Sequence, residues 1–396
     1  MPEKCVIRKG ITSVMKKVIF GAGDYGRIAL NKIGSEKVAF YIDNNLQKQG
    51  TEYFNKKVIS LEEFIPLASS YHVVVASTYA VDMIKQLEEH GISNYSIFSD
   101  YFEGYYKTEE LIFNPYEKNG EALNEEEWNC SEELQNRMRI VYNEAELLNQ
   151  SQGLFQHIEI ETINRCNGSC SFCPVNRNVD PRKEAIMTEE LFYSIIDQLE
   201  ELDYRGRFTT FSNNEPLLDN RIIEWNRYAR RKLPKARMHL YTNGTLMTLD
   251  KFKALVEILD ELIIDNYQQE LSLIKPCQQI QEYCKKHPEL TKKVTIVLRK
   301  PQEILTSRGG TAPNRSNIGN YAKERCVLPF KQMIVRPDGK ISLCCNDALG
   351  KYTLGDLTKE KIVDVWYGAK FQMVRKSLYE GRENWGNCKF CDTFCV

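Results

Sequence analysis

Apolar and polar positions alternate in two long series, separated by a polar interval. In the first series, Lys17-Val-Ile-Phe20, Val38-Ala-Phe-Tyr-Ile-Asp43 and His72-Val-Val-Val-Ala-Ser77 read as strands. Gly21-Ala-Gly23-Asp-Tyr-Gly26 turns from the first strand into a helix, and a later helix runs to His90. Such βα alternation predicts a parallel sheet with right-handed crossovers. Residues 105–155 are rich in Glu and Asn and only weakly amphipathic, which predicts a helical connector. A second βα series begins at Gln156, with strands expected at 157–162, 208–212, 238–242, 261–265 and 294–298. A helix over 188–202 has Thr188 as its N-cap and Glu190 in its first turn. A sixth strand is expected after Gly309-Gly310. Repeats of this kind suit an open, partial (βα)6 barrel better than a flat doubly wound sheet. Beyond Cys326 the rhythm gives way to glycines and cysteines, as in a compact cysteine-bound cap.

A chain of 396 residues exceeds one ordinary core. Its net charge of −1 supplies no global attraction for nucleic acid or an anionic membrane. The basic run from Arg227 to Arg237 reads as a solvated helix end. No apolar segment approaches the roughly 18 residues that span a bilayer, and Met-Pro-Glu-Lys-Cys lacks the plan of a signal peptide. A cytoplasmic protein is expected, with neither nucleic acid nor membrane as partner.

The 13 cysteines change the picture. Disulfides are disfavoured in a reducing compartment, which makes metal binding the better reading. Cys5, Cys130, Cys277 and Cys284 are scattered, while the other nine form two groups. One is Cys166-Asn-Gly-Ser-Cys170-Ser-Phe172-Cys173, directly after a strand, at the sheet end where ligands bind in parallel folds. Three thiolates at this spacing can take three corners of a cubane and leave the fourth iron open. A three-thiolate zinc site is the alternative. The other group is Cys326, Cys344, Cys345, Cys388, Cys391 and Cys395, for which a structural zinc knuckle is the alternative.

The Cys-x3-Cys-x-aromatic-Cys segment, with Phe172 as the aromatic, resembles the signature of the radical S-adenosylmethionine (radical SAM) superfamily. Phe211-Ser-Asn213-Asn214-Glu215-Pro216 stands where that family has Gly-Gly-Glu-Pro, with Asn-Asn replacing Gly-Gly. Tyr241-Thr-Asn243-Gly244 resembles its Thr-Asn-Gly turn. The resemblance implies that Cys166, Cys170 and Cys173 hold a 4Fe-4S cluster. It also implies that Glu215, with Asn213, Asn214, Pro216 and Asn243, binds S-adenosyl-L-methionine. Arg299 and Arg308 sit where the family places groups for the methionine carboxylate or ribose, unless they are ordinary ion-paired arginines. Cys326-x12-Gly339-x4-Cys344 and Cys388-x2-Cys391 resemble the SPASM/twitch cap. Their number is closest to the single-cluster form of 2-deoxy-scyllo-inosamine dehydrogenase-type enzymes. That implies an auxiliary 4Fe-4S cluster on Cys326, Cys344, Cys388 and Cys391, with Cys345 and Cys395 spare or alternative.

The implied activity is an oxidoreductase that dehydrogenates a sugar, cyclitol or nucleotide-linked sugar, with a flavodoxin or ferredoxin-type electron donor. Peptide maturation and sugar epimerisation are the rivals. The expected organisation is a Rossmann-like domain at 14–104, a helical connector at 105–155, a radical SAM core at 156–325 and the cap at 326–396. In the first of these, Gly21, Gly23 and Gly26 open a helix and Asp43 ends the next strand. That placement fits a dinucleotide fingerprint, with Asp43 toward a ribose hydroxyl. The domain also resembles nucleotide-sugar-binding domains of acyltransferases, and a docking role without ligand stays open. His157, Glu159 and Glu161 share a face of the first barrel strand and either reach the barrel interior or serve as polar strand positions. Cys277 and Cys284 read as buried core thiols, or one of them as a hydrogen-atom donor.

Overall fold

The structure is a computed structural model that describes residues 16–77, 79–98, 110–118, 132–150, 153–315 and 321–394. They fall into two compact units that divide after residue 102. Cys5, Cys130 and Cys395 lie outside the described residues.

The first unit runs β1 (Lys16–Phe20), α1 (Asp24–Ile33), β2 (Val38–Ile42), β3 (Glu52–Tyr53), β4 (Lys56–Ile59), α2 (Leu61–Phe64), β5 (Tyr71–Val75), α3 (Ala80–Glu89) and β6 (Tyr95–Ile97). The sheet order is β3-β4-β2-β1-β5-β6, parallel throughout except for β3 against β4. Val18, Ile19, Phe20 and Val73 to Val75 are buried, as the continuous apolar runs of a sheet covered on both faces require. Strand order reverses beside β1, and the glycine turn stands at that point. Gly21 has φ +117°, and a Cβ there would lie 2.4 Å from the Ala76 carbonyl oxygen. At Gly26 a Cβ would lie 1.9 Å from the Gly21 oxygen, so both positions exclude a side chain.

The second unit begins with β7 (Ile112–Phe113), α4 (Pro115–Lys118) and α5 (Glu132–Gln150). It continues with β8 (His157–Ile160), α6 (Glu189–Glu201), β9 (Arg207–Thr209), α7 (Ile222–Lys232), β10 (Arg237–Thr242), α8 (Leu249–Ile258), β11 (Glu261–Tyr267), α9 (Lys275–Lys286) and β12 (Val294–Arg299). Then follow α10 (Leu328–Lys331), β13 (Gln332–Val335), β14 (Lys340–Ser342), β15 (Gly355–Asp356), α11 (Ile362–Trp366) and α12 (Ala369–Glu380). One sheet takes the order β15-β14-β13-β8-β9-β10-β11-β12-β7 and does not close. The five expected strands are present, the first two shorter than expected. Helix α6 starts as expected, with the Thr188 hydroxyl accepting from Leu191 N–H at 3.3 Å.

Among the described residues no strand directly follows Gly309-Gly310, and the next in the chain is β13. Arg308, Gly309 and Gly310 all have positive φ, and the Thr311 and Ala312 amides bond back to the Ser307 carbonyl, so the chain turns here instead of extending. The place beside β12 is taken instead by β7, from the stretch expected to be helical. At the opposite side β13 pairs in parallel with β8, Gln332 facing His157 and Val335 facing Ile160.

Helix α5 is fastened to this sheet through Lys331, fully buried, whose Nζ lies 2.8 and 2.9 Å from the two oxygens of Glu144. Removing one member of a buried pair strands the other charge. Glu144→Gln is expected to cost about 3 kcal/mol in denaturant unfolding, and the double change Glu144→Leu with Lys331→Met to recover most of that loss.

Candidate active site

The loops after β8, β9, β10 and β11 meet at the carboxyl end of the sheet around a cavity of about 350 Å³. Cys166, Cys170 and Cys173 line it from the loop after β8. That loop is folded on itself. Asn176 Nδ2 donates to the carbonyls of Cys170 at 3.0 Å and Cys173 at 2.8 Å, and Arg177 N–H donates to Gly168 O at 2.9 Å. Gly168 N–H points at Cys166 Sγ, 3.3 Å away. A Cβ on Gly168 would sit 3.3 Å from Cys166 Sγ and 4.0 Å from Cys170 Sγ, so this glycine keeps the space between the two sulfurs open. Burial, with mutual repulsion among the thiolates, pushes the Cys166 and Cys170 thiols up to about 12. Sulfurs grouped around one open space in this way fit a metal cluster, whose positive charge would hold them as thiolates.

Glu215, almost wholly buried, joins the loops after β9 and β10. Its Oε1 accepts from Thr242 Oγ1 at 2.7 Å and Leu217 N at 3.1 Å, and its Oε2 accepts from Asn243 N at 2.8 Å. Burial nevertheless raises its pKa. Pro216 begins a single 3₁₀ turn, 216–218, behind it. Asn243 Nδ2 donates to Asn167 Oδ1 at 2.7 Å and so ties the third strand's loop to the cysteine loop. The two asparagines that replace glycine hold defined positions. Asn213 Oδ1 accepts from Arg308, and Asn213 Nδ2 donates to Ser212 Oγ at 3.2 Å and Cys345 O at 3.1 Å. Asn214 lines the cavity and its Oδ1 accepts from Ser212 N at 3.0 Å, while its Nδ2 is buried with no partner among the described residues.

Arg308 reaches the cavity and Arg299 does not line it. Arg299 instead stands behind Asp265, Nε to Oδ1 3.8 Å. Asp265 does line the cavity, with its carboxyl raised to about 6 by burial. Phe172 packs 6.1 Å from the Tyr267 ring. Glu159 and Glu161 part company. Glu159 lines the cavity, accepting from Ser212 Oγ and Gln332 Nε2, both at 2.6 Å. Burial raises its carboxyl to about 7, against the lowering effect of the Ser212 hydrogen bond and of Arg308 and Arg207. Glu161, also raised to about 7 by burial, pairs with Arg182 at 3.1 Å. His157 lies under Glu159 and burial holds it well below its ordinary value, hence neutral.

The second cysteine group gathers beyond the first. Cys344, Cys388 and Cys391 line a recess of about 30 Å³ with Asn346, Asp347 and Tyr352. Burial, then repulsion from Cys345, Cys388, Cys326 and Cys391, pushes Cys344 far up, so these sulfurs are electrostatic neighbours. Arg382, 1% exposed, donates to the carbonyls of Cys391 at 2.7 Å, Thr393 at 2.8 Å and Arg325 at 3.3 Å. Its charge has no carboxylate partner among the described residues, and anionic thiolates of a cluster fit that surrounding. Cys345, itself a charge neighbour of Cys344, is also among the residues lining the larger cavity.

In the first unit the glycine turn does not leave Asp43 open. Asp43 Oδ2 accepts from Ala22 N at 2.7 Å and lies 3.5 Å from Lys48 Nζ, and Oδ1 accepts from Asn45 N at 2.8 Å. Gly23 has open space where a Cβ would stand. Sequence reasoning missed Asp265, Tyr267, Ser212 and Arg182. The first two lie at the end of β11, where position alone marks a cavity-lining residue. Arg182 donates to Glu161, Asp180, the Asn164 carbonyl and the Asn213 carbonyl, and no motif signals it.

Residues 160–268 match the family model of the Radical SAM superfamily, and residues 326–392 match SPASM, an iron-sulfur cluster-binding domain. These residues carry a radical SAM domain and a SPASM domain, and the two domains imply 4Fe-4S clusters and S-adenosylmethionine as cofactors. Among its relatives is the S-adenosyl-L-methionine-dependent 2-deoxy-scyllo-inosamine dehydrogenase of Niallia circulans, 27% identical over 249 residues, 61% of this chain and 95% of that protein. The crystal structure of BtrN in complex with AdoMet and 2-DOIA superposes with a TM-score of 0.54 at 26% identity, covering 61% of this chain and 94% of that one. Residues 13–98 match a model described as C2185-like, N-terminal. No helix among the described residues is long and apolar enough to cross a membrane.

Proposed function

We propose that this enzyme removes hydrogen from a carbinol carbon of a sugar, cyclitol or nucleotide-linked sugar and oxidises it to a carbonyl. The observation that carries the reading is one cavity lined by the Cys166/Cys170/Cys173 loop, the carboxylate of Glu159 and the guanidinium of Arg308. Similarity to a dehydrogenase whose name specifies a cyclitol supports it.

In this reading Cys166, Cys170 and Cys173 hold the first cluster, and Cys326, Cys344, Cys388 and Cys391 hold the auxiliary one. Phe172, Asn213, Asn214, Glu215, Pro216 and Asn243 shape the S-adenosylmethionine site, with Arg308 in the cavity and Arg299 acting only through Asp265. When bound, these cofactors supply a 5′-deoxyadenosyl radical for hydrogen abstraction and an acceptor for the second electron. The electron donor is a flavodoxin or ferredoxin-type protein. Glu159 takes the hydroxyl proton, because oxidation of a carbinol carbon releases one and the raised carboxyl is matched to that task. Arg308 holds the substrate oxygen through its charge. Gly21, Gly23 and Gly26 in the first unit cradle a phosphate of a nucleotide-linked group at the start of α1, with Asp43 stiffening that turn. The boundaries 14–104, 105–155, 156–325 and 326–396 remain the working division of the chain.

Two measurements follow. Anaerobically reconstituted enzyme is expected to carry about eight irons and a Cys166/Cys170/Cys173→Ala variant about four. Saturation of the wild type near four, or zinc in place of the second set, would remove the auxiliary cluster. With 2-deoxy-scyllo-inosamine as probe, carbonyl formation is expected to rise about tenfold per pH unit up to about pH 7 and then level, because only ionised Glu159 accepts the proton. Glu159→Gln should flatten and lower that limb, and an unaltered profile in the variant would exclude Glu159 as base. Ser212, Gln332, His157, Arg207 and Arg308 face the carboxylate, and the neutral His157 adds no titration of its own in this range.

A further inference from the structure

We infer that Arg382 raises the reduction potential of the cluster held by the second cysteine set and so fits that cluster to accept an electron. The inference rests on the auxiliary-cluster assignment proposed above and adds the residue that sets its potential. Arg382 follows α12 and stands between the two stretches of chain that bring these cysteines together. Its backbone N–H donates to Glu324 O at 3.0 Å and its Nε to Arg325 O at 3.3 Å, directly before Cys326. Its Nη1 donates to Cys391 O at 2.7 Å and its Nη2 to Thr393 O at 2.8 Å. The Phe394 ring covers the guanidinium, with Arg382 Cζ 4.2 Å from the ring centroid, and the residue is sealed from water.

The side chain's partners are therefore three carbonyls and an aromatic face, all without formal charge. Carboxylates on the flanking segments are engaged elsewhere. Asp392 takes Arg315 at 2.8 Å and the Ser307 amide at 2.7 Å, and Asp347 accepts from the amides of Lys351 at 2.8 Å and Tyr352 at 3.1 Å. Arg325 makes the contrast plain. It lies between the rings of Tyr142 and Tyr379 and has Glu146 as its counter-charge, Nη1 to Oε2 3.0 Å. No carboxylate pairs with Arg382 among the described residues, and a buried cation without an anion is costly. The anions left to balance it are the thiolates. Its charge reaches two of them, since burial pushes the Cys326 and Cys388 thiols up and Arg382 opposes that rise at both.

A fully cysteine-ligated 4Fe-4S cluster is anionic, and reduction adds one more negative charge. A fixed cation in a surrounding of low dielectric stabilises the reduced form more than the oxidised form, which raises the potential. Arg382 touches no reacting atom and is a positioning residue that acts through the cluster. In the proposed dehydrogenation the substrate radical gives up one electron to that acceptor and its hydroxyl proton to Glu159, leaving the carbonyl. The electron then passes to the oxidised form of a flavodoxin or ferredoxin-class protein.

The readout is the potential itself. The Cys166/Cys170/Cys173→Ala protein, reconstituted anaerobically, is titrated with dithionite and followed by electron paramagnetic resonance, so that only the second cluster is seen. Arg382→Gln in that background is expected to lower the equilibrium constant for one-electron reduction at least tenfold, a fall of about 59 mV. Arg382→Lys keeps the charge, loses the fork and should restore most of the potential. The paired change Arg325→Gln with Glu146→Gln removes a charge together with its counter-charge and should leave the potential in place. An Arg382→Gln potential equal to the parent's, or equal falls in Arg382→Gln and Arg382→Lys, would overturn the inference. If Arg382→Gln takes up no iron, the lysine variant decides: about four irons there support the charge, and loss in both overturns it in favour of the hydrogen bonds alone. A parent protein that binds zinc or no iron would overturn the auxiliary-cluster assignment, and the inference with it.

Discussion

The larger unit depends on the parallel pairing of β13 with β8. The register sets Gln332 beside His157, one step from Glu159, and the buried Gln332 side chain then bridges two parts of the chain. Its Nε2 donates to Glu159 and its Oε1 accepts from Cys345 N–H. Asn213, from the loop after β9, donates to the carbonyl of the same residue. The segment carrying Cys344 and Cys345 is therefore tied to both the first and the second strand of the parallel series. A slip of one residue in β13 would turn Gln332 to the other face and release that segment. The spacing between the two cysteine groups follows from this pairing.

Around it the unit buries several charges. Glu159, Glu161, Lys331 and Arg382 are all removed from water, and desolvation of such groups is costly unless partners compensate. Some are compensated in the ordinary way. Lys331 has Glu144, and Arg182 joins Glu161, Asp180 and two backbone carbonyls. Burial still shows at the carboxyls. Glu159 and Glu161 are both raised to about 7 and Asp265 to about 6, while Arg382 has backbone carbonyls and the face of the Phe394 ring. Of these, Glu159 and Asp265 line the large cavity.

Much of this was legible in the sequence. The strands β8 to β12, the Thr188 cap and the cysteine loop after β8 follow from local pattern and spacing, which the fold preserves. What failed was the sixth strand. Periodicity registers apolar residues but not the three left-handed residues at Arg308, Gly309 and Gly310, and β7 is too short to stand out within a polar stretch. Arg299, ending the fifth strand, and Arg308, before the glycine pair, looked equivalent because the family places methionine or ribose groups at such positions, yet Arg299 pairs with Asp265 while Arg308 lines the cavity. The β13–β8 pairing was not visible, since it arises from contact between distant segments. Asp43 matched its motif in position, but one of its oxygens accepts from Ala22 of the glycine turn and the other from Asn45 N–H.

The central claim is that the Cys166, Cys170 and Cys173 site has an open iron facing S-adenosylmethionine, while the second set is closed. Electron paramagnetic resonance of the reduced enzyme, recorded with and without S-adenosylmethionine, tests it most directly in two variants that each lack one cysteine set. The spectrum should change on addition in the Cys388→Ala/Cys391→Ala variant and stay fixed in the variant lacking Cys166, Cys170 and Cys173. A change confined to the latter variant would contradict the account.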